Sequence, residues 1–365
     1  MRKTRVTLDL QALQHNLQRV REAAPGCRVM AAIKANGYGH GLARVARALT
    51  SADAFGVACL DEAIALREAG IEQPITLLEG FFHHDELPLI QQHDLQVMLH
   101  HAHQIETLES TALAKPLPVW LKVDTGMHRL GIRPESVVAQ WQRLLSMGEK
   151  LQLLGQMTHL ACADDRADML TNRQLDAFSA AVAELPGEKG IANSAGVLAW
   201  PQSHADWVRP GIMLYGASPF IGSTGAADGL LPVMTLHSEL IAVNPMQKGD
   251  TIGYGAIWTC PEDMLVGVVA VGYGDGYPRH APAGTPVLVN GHKVPLIGRV
   301  SMDMITVDLR SQPEARVGDP VVLWGRGLPV EEVATLAGTI GYELLTGVTR
   351  RVCFEHHTGT GEPAS

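Results

Sequence analysis

Residues 28–41 read Arg28-Val29-Met30-Ala31-Ala32-Ile33-Lys34-Ala35-Asn36-Gly37-Tyr38-Gly39-His40-Gly41. The apolar run Arg28–Ala35 has the composition and length of a buried strand, and one lysine sits near its carboxyl end. Glycines at alternate positions then break the chain before an amphipathic stretch begins. Outward from here the same unit recurs. Further strand candidates are Ala54–Cys59, Ile75–Leu78, Leu95–Leu99, Val119–Val123, Leu151–Thr158, Gly190–Asn193 and Asp206–Val208. Amphipathic stretches separate them, such as Asp61–Ala69 closed by Gly70 and Pro134–Met147 closed by Gly148. Ahead of the first strand, Asp9 is placed to cap a helix carrying Leu10, Leu13, Leu17 and Val20 on one face. Eight strands alternating with helices predict an α/β fold, a TIM-like (β/α)8 barrel. An open doubly wound sheet has the same count of strands, and counting alone leaves both.

The texture then changes. Ala217–Leu231 is rich in Gly, Ala and Ser and reads as a linker or crossing loop. Beyond it short β-rich runs dominate: Thr235–Val243, Leu265–Val271, Pro286–Val289, Val294–Leu296, Met304–Leu309 and Val321–Trp324. Asn290-Gly291 between two of them signals a hairpin turn, and one helix, Pro329–Leu336, interrupts the series. The expected domains are a barrel over residues 1–230 and a mostly-β carboxyl-terminal domain over 231–365.

The 365 residues carry 46% hydrophobic and 18% charged side chains, as an ordinary globular protein does. The net charge of −9 is dispersed and no basic stripe is present, which argues against nucleic acid as a partner. Five isolated cysteines include no Cys-x-x-Cys pair, so neither a disulfide framework nor a thiolate zinc site is expected. The basic start Met1-Arg2-Lys3-Thr4-Arg5 runs into Asp9 without an apolar stretch, and no run is long enough to span a bilayer. A cytoplasmic setting without membrane contact is the expectation.

Lys34 falls where barrel enzymes build their active sites, at the carboxyl end of a strand. Desolvation favours the uncharged amine, the form that condenses with an aldehyde. Two plainer readings compete: a lysine extending its charged head past a strand end, and a dinucleotide loop. The spacing Gly-x-Gly-x-Gly, rather than Gly-x-Gly-x-x-Gly, weakens the second. Asn193-Ser194-Ala195-Gly196 and Arg209-Pro210-Gly211-Ile212 follow the seventh and eighth strands, where barrels commonly hold phosphate. A phosphorylated aldehyde cofactor suits both the lysine and these loops.

Ala32–Gly41 is similar to the cofactor-lysine signature of alanine racemases. Leu121–Gly131 (LKVDTGMHRLG), Met157–Ala161 (MTHLA), Asn193–Gly196, Arg209–Gly216 (RPGIMLYG), Gly253–Gly255 (GYG), Gly272–Gly276 (GYGDG) and Gly298–Asp303 (GRVSMD) resemble further segments of that family, in order and over nearly the whole chain. The resemblance implies a pyridoxal 5′-phosphate-dependent isomerase interconverting L- and D-alanine, whether to supply D-alanine for peptidoglycan or to break it down. It also implies a homodimer with active sites shared between subunits, and packing of Arg5–Leu8 against the β domain.

Racemisation removes the α-proton from one face and returns one to the other, so two bases are needed. By resemblance Lys34 carries the cofactor and serves the D-alanine side, while Tyr254 of the neighbouring subunit serves the L-alanine side. A tyrosine titrates near 10, and bringing one within reach of neutral pH takes roughly 3–4 kcal/mol of phenolate stabilisation. Arg129 matches the family's arginine for that task. Lys122 resembles the lysine that can be carbamylated to steer it. Arg209 would face the cofactor's pyridine nitrogen; a guanidinium holds its proton, so that nitrogen would stay unprotonated and the ring a weaker electron sink. His159 would orient Arg209. Tyr38, Ser194, Gly211, Ile212 and Tyr342 match phosphate-binding positions; Tyr273, Met302 and Asp303 match residues at the substrate entrance, the Met302 N–H facing the substrate carboxylate.

Three rival functions share part of this pattern. An amino-acid decarboxylase of the same two-domain kind would place an acid where Arg209 stands. A pyridoxal-phosphate carrier built on a similar barrel would lack the β domain. A racemase for another small amino acid, such as serine, would share every motif. His83, His84, His93, His100, His101 and His103 crowd one region but read as solvated helix surface, and no metal site is expected.

Overall fold

The computed structural model describes residues 3–357. Its first strand, β1 (Arg5–Asp9), leads into a helix over Leu10–Ala23, where Asp9 accepts the backbone N–H groups of Gln11 and Ala12 at 3.0 Å each. This is the cap expected from sequence, and Leu13, Leu17 and Val20 are buried on the face it initiates.

Eight parallel strands follow: β2 (Arg28–Ala32), β3 (Ala54–Val57), β4 (Ile75–Leu77), β5 (Leu95–Leu99), β6 (Leu117–Lys122), β7 (Leu151–Met157), β8 (Glu188–Gly190) and β9 (Trp207–Val208). Each pairs with its neighbour in sequence, and β9 pairs back to β2 through Arg28–Trp207 and Val29–Val208. That closure settles the choice left by strand counting: the sheet is a (β/α)8 barrel, not an open doubly wound sheet.

The two-residue period of the strands sorts their side chains. Val29 and Ala31, Leu95, Val97 and Leu99, and Val119 and Leu121 pack outward into the main core with the helices. Met30, Ala54, Met98, Trp120, Met157 and Trp207 form a separate cluster inside the barrel. Polar atoms admitted to that interior are paired: Gln96 Oε1 accepts from Thr76 Oγ1 at 2.9 Å and from Trp120 Nε1 at 3.0 Å.

A bulge in β7 sets Leu153 and Gly155 opposite the consecutive residues Val119 and Trp120. A side chain at Gly155 would run into the Glu188 backbone of β8. Gly155→Ala should therefore cost about 3 kcal/mol or more, read as a lowered denaturation midpoint. A loss under about 1 kcal/mol would mean that β8 gives way.

The second domain comprises β10 (Met234–Met246), β11 (Thr251–Ile252), β12 (Trp258–Thr259), β13 (Met264–Val269), β14 (Pro286–Val289), β15 (His292–Ile297), β16 (Ile305–Asp308), β17 (Pro320–Trp324) and β18 (Cys353–His357). Pairing runs β10–β13–β16–β15–β14–β17 and back to β10, whose bulge between Leu240 and Ala242 lets one long strand serve both neighbours. Asn290 and Gly291 join β14 to β15 with φ of 52° and 80°, the left-handed pair that a two-residue hairpin needs. As the resemblance implied, β1 joins this sheet, antiparallel to β10 and parallel to β18. Neither β18 nor a helix over Gly341–Thr346 was foreseen.

Ala217–Leu231 is a tied crossing segment. Glu331 accepts the N–H groups of Ser218 and Gly225 at 2.7 Å each, and Asn16 exchanges two 2.8 Å bonds with the Leu231 backbone. No helix among the described residues is long and apolar enough to cross a membrane.

Candidate active site

The interior cluster predicts what stands above it. Two residues beyond Met98, Trp120, Met157 and Trp207, the strand period brings His100, Lys122, His159 and Arg209 onto the inward side at the carboxyl ends of β5, β6, β7 and β9. Lys34 has the same parity, four residues beyond Met30. These groups act on one another. Burial, then the charges of Arg209, Arg129 and Lys34, push the Lys122 ammonium down to about 8, with Glu79 opposing. Burial and the cations Arg209, Lys122, Arg129 and Lys34 push His159 down to about 3, so its imidazole is neutral.

Arg209 is buried, which lowers its guanidinium to about 10 and leaves it charged at neutral pH. Its Nη2 donates to the carbonyls of Thr158 and Ile191, the second at 3.3 Å. Its Nη1 is buried without a hydrogen-bond partner among the described residues. A buried donor left in this way is free to meet an acceptor from outside the chain.

Directly after Lys34 the backbone does what L-residues avoid. Ala35, Asn36, Gly37 and Tyr38 have φ of 53°, 56°, 61° and 50°, one turn of left-handed helix closed by Gly37 N–H to Ile33 O at 2.8 Å and Gly39 N–H to Ala35 O at 3.0 Å. The turn folds Tyr38 back over the mouth of the barrel. Its ring stacks on Tyr215 at 4.5 Å and lies 6.1 Å from that of Tyr342, on the Gly341–Thr346 helix of the second domain. Burial pushes the Tyr38 phenol up to about 12 and raises Tyr342 as well. A side chain at Gly211 would collide with the Tyr38 hydroxyl. Ser194 Oγ accepts the Gly211 N–H at 2.8 Å, and Ile212 is buried beside it. Tyr38, Ser194, Gly211, Ile212 and Tyr342, the residues that the resemblance assigns to phosphate, thus lie together.

Arg129 reaches the group from the loop after β6. Asp124 Oδ1 accepts from the N–H groups of Gly126 and His128 at 3.1 and 2.9 Å, and Ile132 N–H returns to the Lys122 carbonyl at 2.8 Å. The loop is pinned at both ends while Arg129 stays exposed.

The remaining predicted residues form a second group on the β domain. Tyr254 tips the β11–β12 hairpin, 69% exposed, between Gly253 and Gly255 at φ 74° and 75°. The Tyr273 N–H donates to Ser301 O at 3.1 Å and that of Gly274 to Met302 O at 2.9 Å, so Tyr273, Met302 and Asp303 share one edge. Arg351 pairs with Asp303 at 2.6 Å. No hydrogen bond, ion pair or ring contact among the described residues joins Tyr254, Tyr273 or Met302 to Lys34.

Of the histidine run, His100 is not solvated surface: it is half-buried, its Nε2 lies 2.9 Å from Glu79 O, and it senses Lys122. Strand parity would have found it. His83, His84 and Asp85 are exposed and pair within 3.0 Å. Sequence reading also passed over Glu79, the acid that faces Lys122.

The barrel mouth therefore gathers Lys34, Lys122, Arg129 and Arg209 around a cradle of hydroxyls and a glycine N–H, with an unmatched guanidinium N–H below. Such a site fits a small, strongly anionic molecule with a hydrogen-bond acceptor at one end, and a phosphorylated pyridine aldehyde has both features.

Residues 8–219 match the family of alanine racemase N-terminal domains, and residues 233–356 that of alanine racemase C-terminal domains. A curated alanine racemase of Nitrosococcus oceani is 57% identical, with 94% of this chain and 97% of that protein aligned. One from Shewanella baltica is 54% identical over 95% and 97%. The crystal structure of the biosynthetic alanine racemase from Pseudomonas aeruginosa superposes with a TM-score of 0.95 at 46% identity, covering 98% of this chain and all of that one.

Proposed function

The chain belongs to the alanine racemase family and acts as an alanine racemase, and we propose that it does so with pyridoxal phosphate, by a two-base mechanism, as a cytoplasmic homodimer. The observation that carries the cofactor reading is the buried Nη1 of Arg209, without a hydrogen-bond partner among the described residues, beside the cations at the barrel mouth. Lys34 would hold the cofactor through its aldehyde, Arg209 would donate to its ring nitrogen, and Tyr38, Ser194, Gly211, Ile212 and Tyr342 would hold its phosphate. Bound there, pyridoxal phosphate supplies an electron-accepting ring that eases loss of the substrate's α-proton.

The residues do the rest. Neutral His159 leaves the charge of Arg209 in place and orients it. Lys34 moves the proton at the α-carbon of D-alanine, and Tyr254, from the second subunit, at that of L-alanine. Arg129 stabilises the phenolate that Tyr254 must form. Tyr273, Met302 and Asp303 line the approach, the Met302 N–H receiving the substrate carboxylate. Likeness to a structure described as biosynthetic supports a role in supplying D-alanine.

Lys122, with its ammonium lowered to about 8, is partly an uncharged amine at neutral pH and so can add carbon dioxide. A carbamate there would face Arg129 with opposite charge. Intact-mass measurement should show a gain equal to one carbon dioxide that acid removes; an unmodified protein of full activity would sink this part of the reading.

The decisive test is chiral analysis of purified protein given L-alanine, with and without added pyridoxal phosphate. D-Alanine formed by protein carrying pyridoxal phosphate, lost when the cofactor is stripped and restored when it is added back, supports the proposal. Cofactor bound without D-alanine formed would turn attention to serine and other small amino acids.

A further inference from the structure

We infer that His40 is a positioning residue of the active site, its Nδ1–H clamping the left-handed turn that sets Lys34 and Tyr38 in place. This rests on the roles proposed above for those two residues. His40 is fully buried. Its Nδ1 lies 2.8 Å from the Tyr38 carbonyl and 3.2 Å from that of Gly37, both acceptors, so Nδ1 carries the proton and donates to the two carbonyls. Burial drives the imidazole down to about 4, so this proton is the ring's only one at neutral pH.

The clamp has something to hold. Ala35, Asn36 and Tyr38 all sit at positive φ, a conformation that Ala and Tyr resist and that persists in them only where their surroundings enforce it. The ring braces the turn from behind: it lies 4.8 Å from that of Tyr215, which stacks on Tyr38 and donates its hydroxyl hydrogen to Ala32 O at 3.1 Å, at the end of β2. Arg44 holds His40 in turn through a 3.0 Å bond to its carbonyl. Nε2 is buried without a partner among the described residues. An apolar residue would avoid that cost, so what a histidine contributes here is the Nδ1–H.

Two variants separate the donor from the ring. His40→Phe keeps a ring against Tyr215 and has no donor; His40→Asn keeps a donor near the Nδ1 position without the ring. Pyridoxal phosphate affinity is measured by equilibrium dialysis well below the melting temperature of each cofactor-free protein. A residue with a merely structural role would lower melting without changing the affinity of folded protein. We expect His40→Phe to bind about tenfold more weakly, the size of one buried hydrogen bond, and to lose kcat, while His40→Asn stays within about threefold of the parent. A His40→Phe protein that binds as tightly as the parent overturns the proposal, and so does a His40→Asn protein that binds as weakly as His40→Phe. Should His40→Phe not fold, His40→Asn decides alone: binding within about threefold of the parent supports the clamp, and a loss of about tenfold overturns it. Failure of the underlying reading looks different, because the parent itself would then not bind pyridoxal phosphate.

Discussion

Lys34→Ala is expected to lower alanine racemisation by at least about a thousandfold, the scale on which a positioned acid–base group acts. The residue has two tasks in the proposed scheme, fixing the cofactor and moving a proton at the α-carbon, and alanine can perform neither. The fold should survive the change. Lys34 stands beyond the end of β2, above the interior cluster that includes Met30, and is itself only half-buried. Arg209, Tyr38, Ser194 and Gly211 remain, so the variant should still take up pyridoxal phosphate, but reversibly, and lose it on dialysis where the parent retains it. Chiral chromatography with excess cofactor reads the first effect and absorbance after dialysis the second. Activity within about tenfold of the parent would remove Lys34 from the chemistry.

How much of this was legible beforehand follows from which signals are local. Barrel strands announce themselves as apolar runs, and each of the eight was found to within a few residues. Closure is a pairing between residues some 180 positions apart, such as Arg28 and Trp207, and no local pattern reports it. The alternation that puts Trp120 inside the barrel also puts Lys122 inside, so the floor of the site could have been derived from parity alone; His100 was lost because its neighbours His101 and His103 are exposed. The left-handed turn was beyond reach for another reason. Two of its four residues, Ala35 and Tyr38, are types that ordinarily avoid positive φ, and only tertiary contacts from Tyr215, His40 and the Gly341–Thr346 helix hold them there. Tyr254 was the opposite case: nothing around it in sequence suggests chemistry, and in the single chain it is an exposed tip.

That exposure leads to the sharpest test of a shared site. Tyr254→Phe should bind pyridoxal phosphate normally yet fail to racemise, with α-proton exchange from L-alanine lost far more than exchange from D-alanine. Equal loss from both antipodes would undo the division between Tyr254 and Lys34. Mixing this protein with Lys34→Ala then locates the two residues relative to each other. If a site takes Lys34 from one subunit and Tyr254 from its partner, a mixed dimer has one site with both defects and one with neither. Random reassortment makes about half the dimers mixed, so two inactive proteins together should recover about a quarter of the parental activity. If both residues of a site came from one chain, every site in the mixture would carry one defect and nothing would be recovered. The recovery would also depend on the exchange of subunits, rising as the mixed proteins are incubated and reaching its plateau at once if they are co-expressed. Tyr254 is 69% exposed in the single chain, and Ile257, Met302 and Met304 of the same domain are exposed as well, so on the proposed homodimer the first outcome is the expected one.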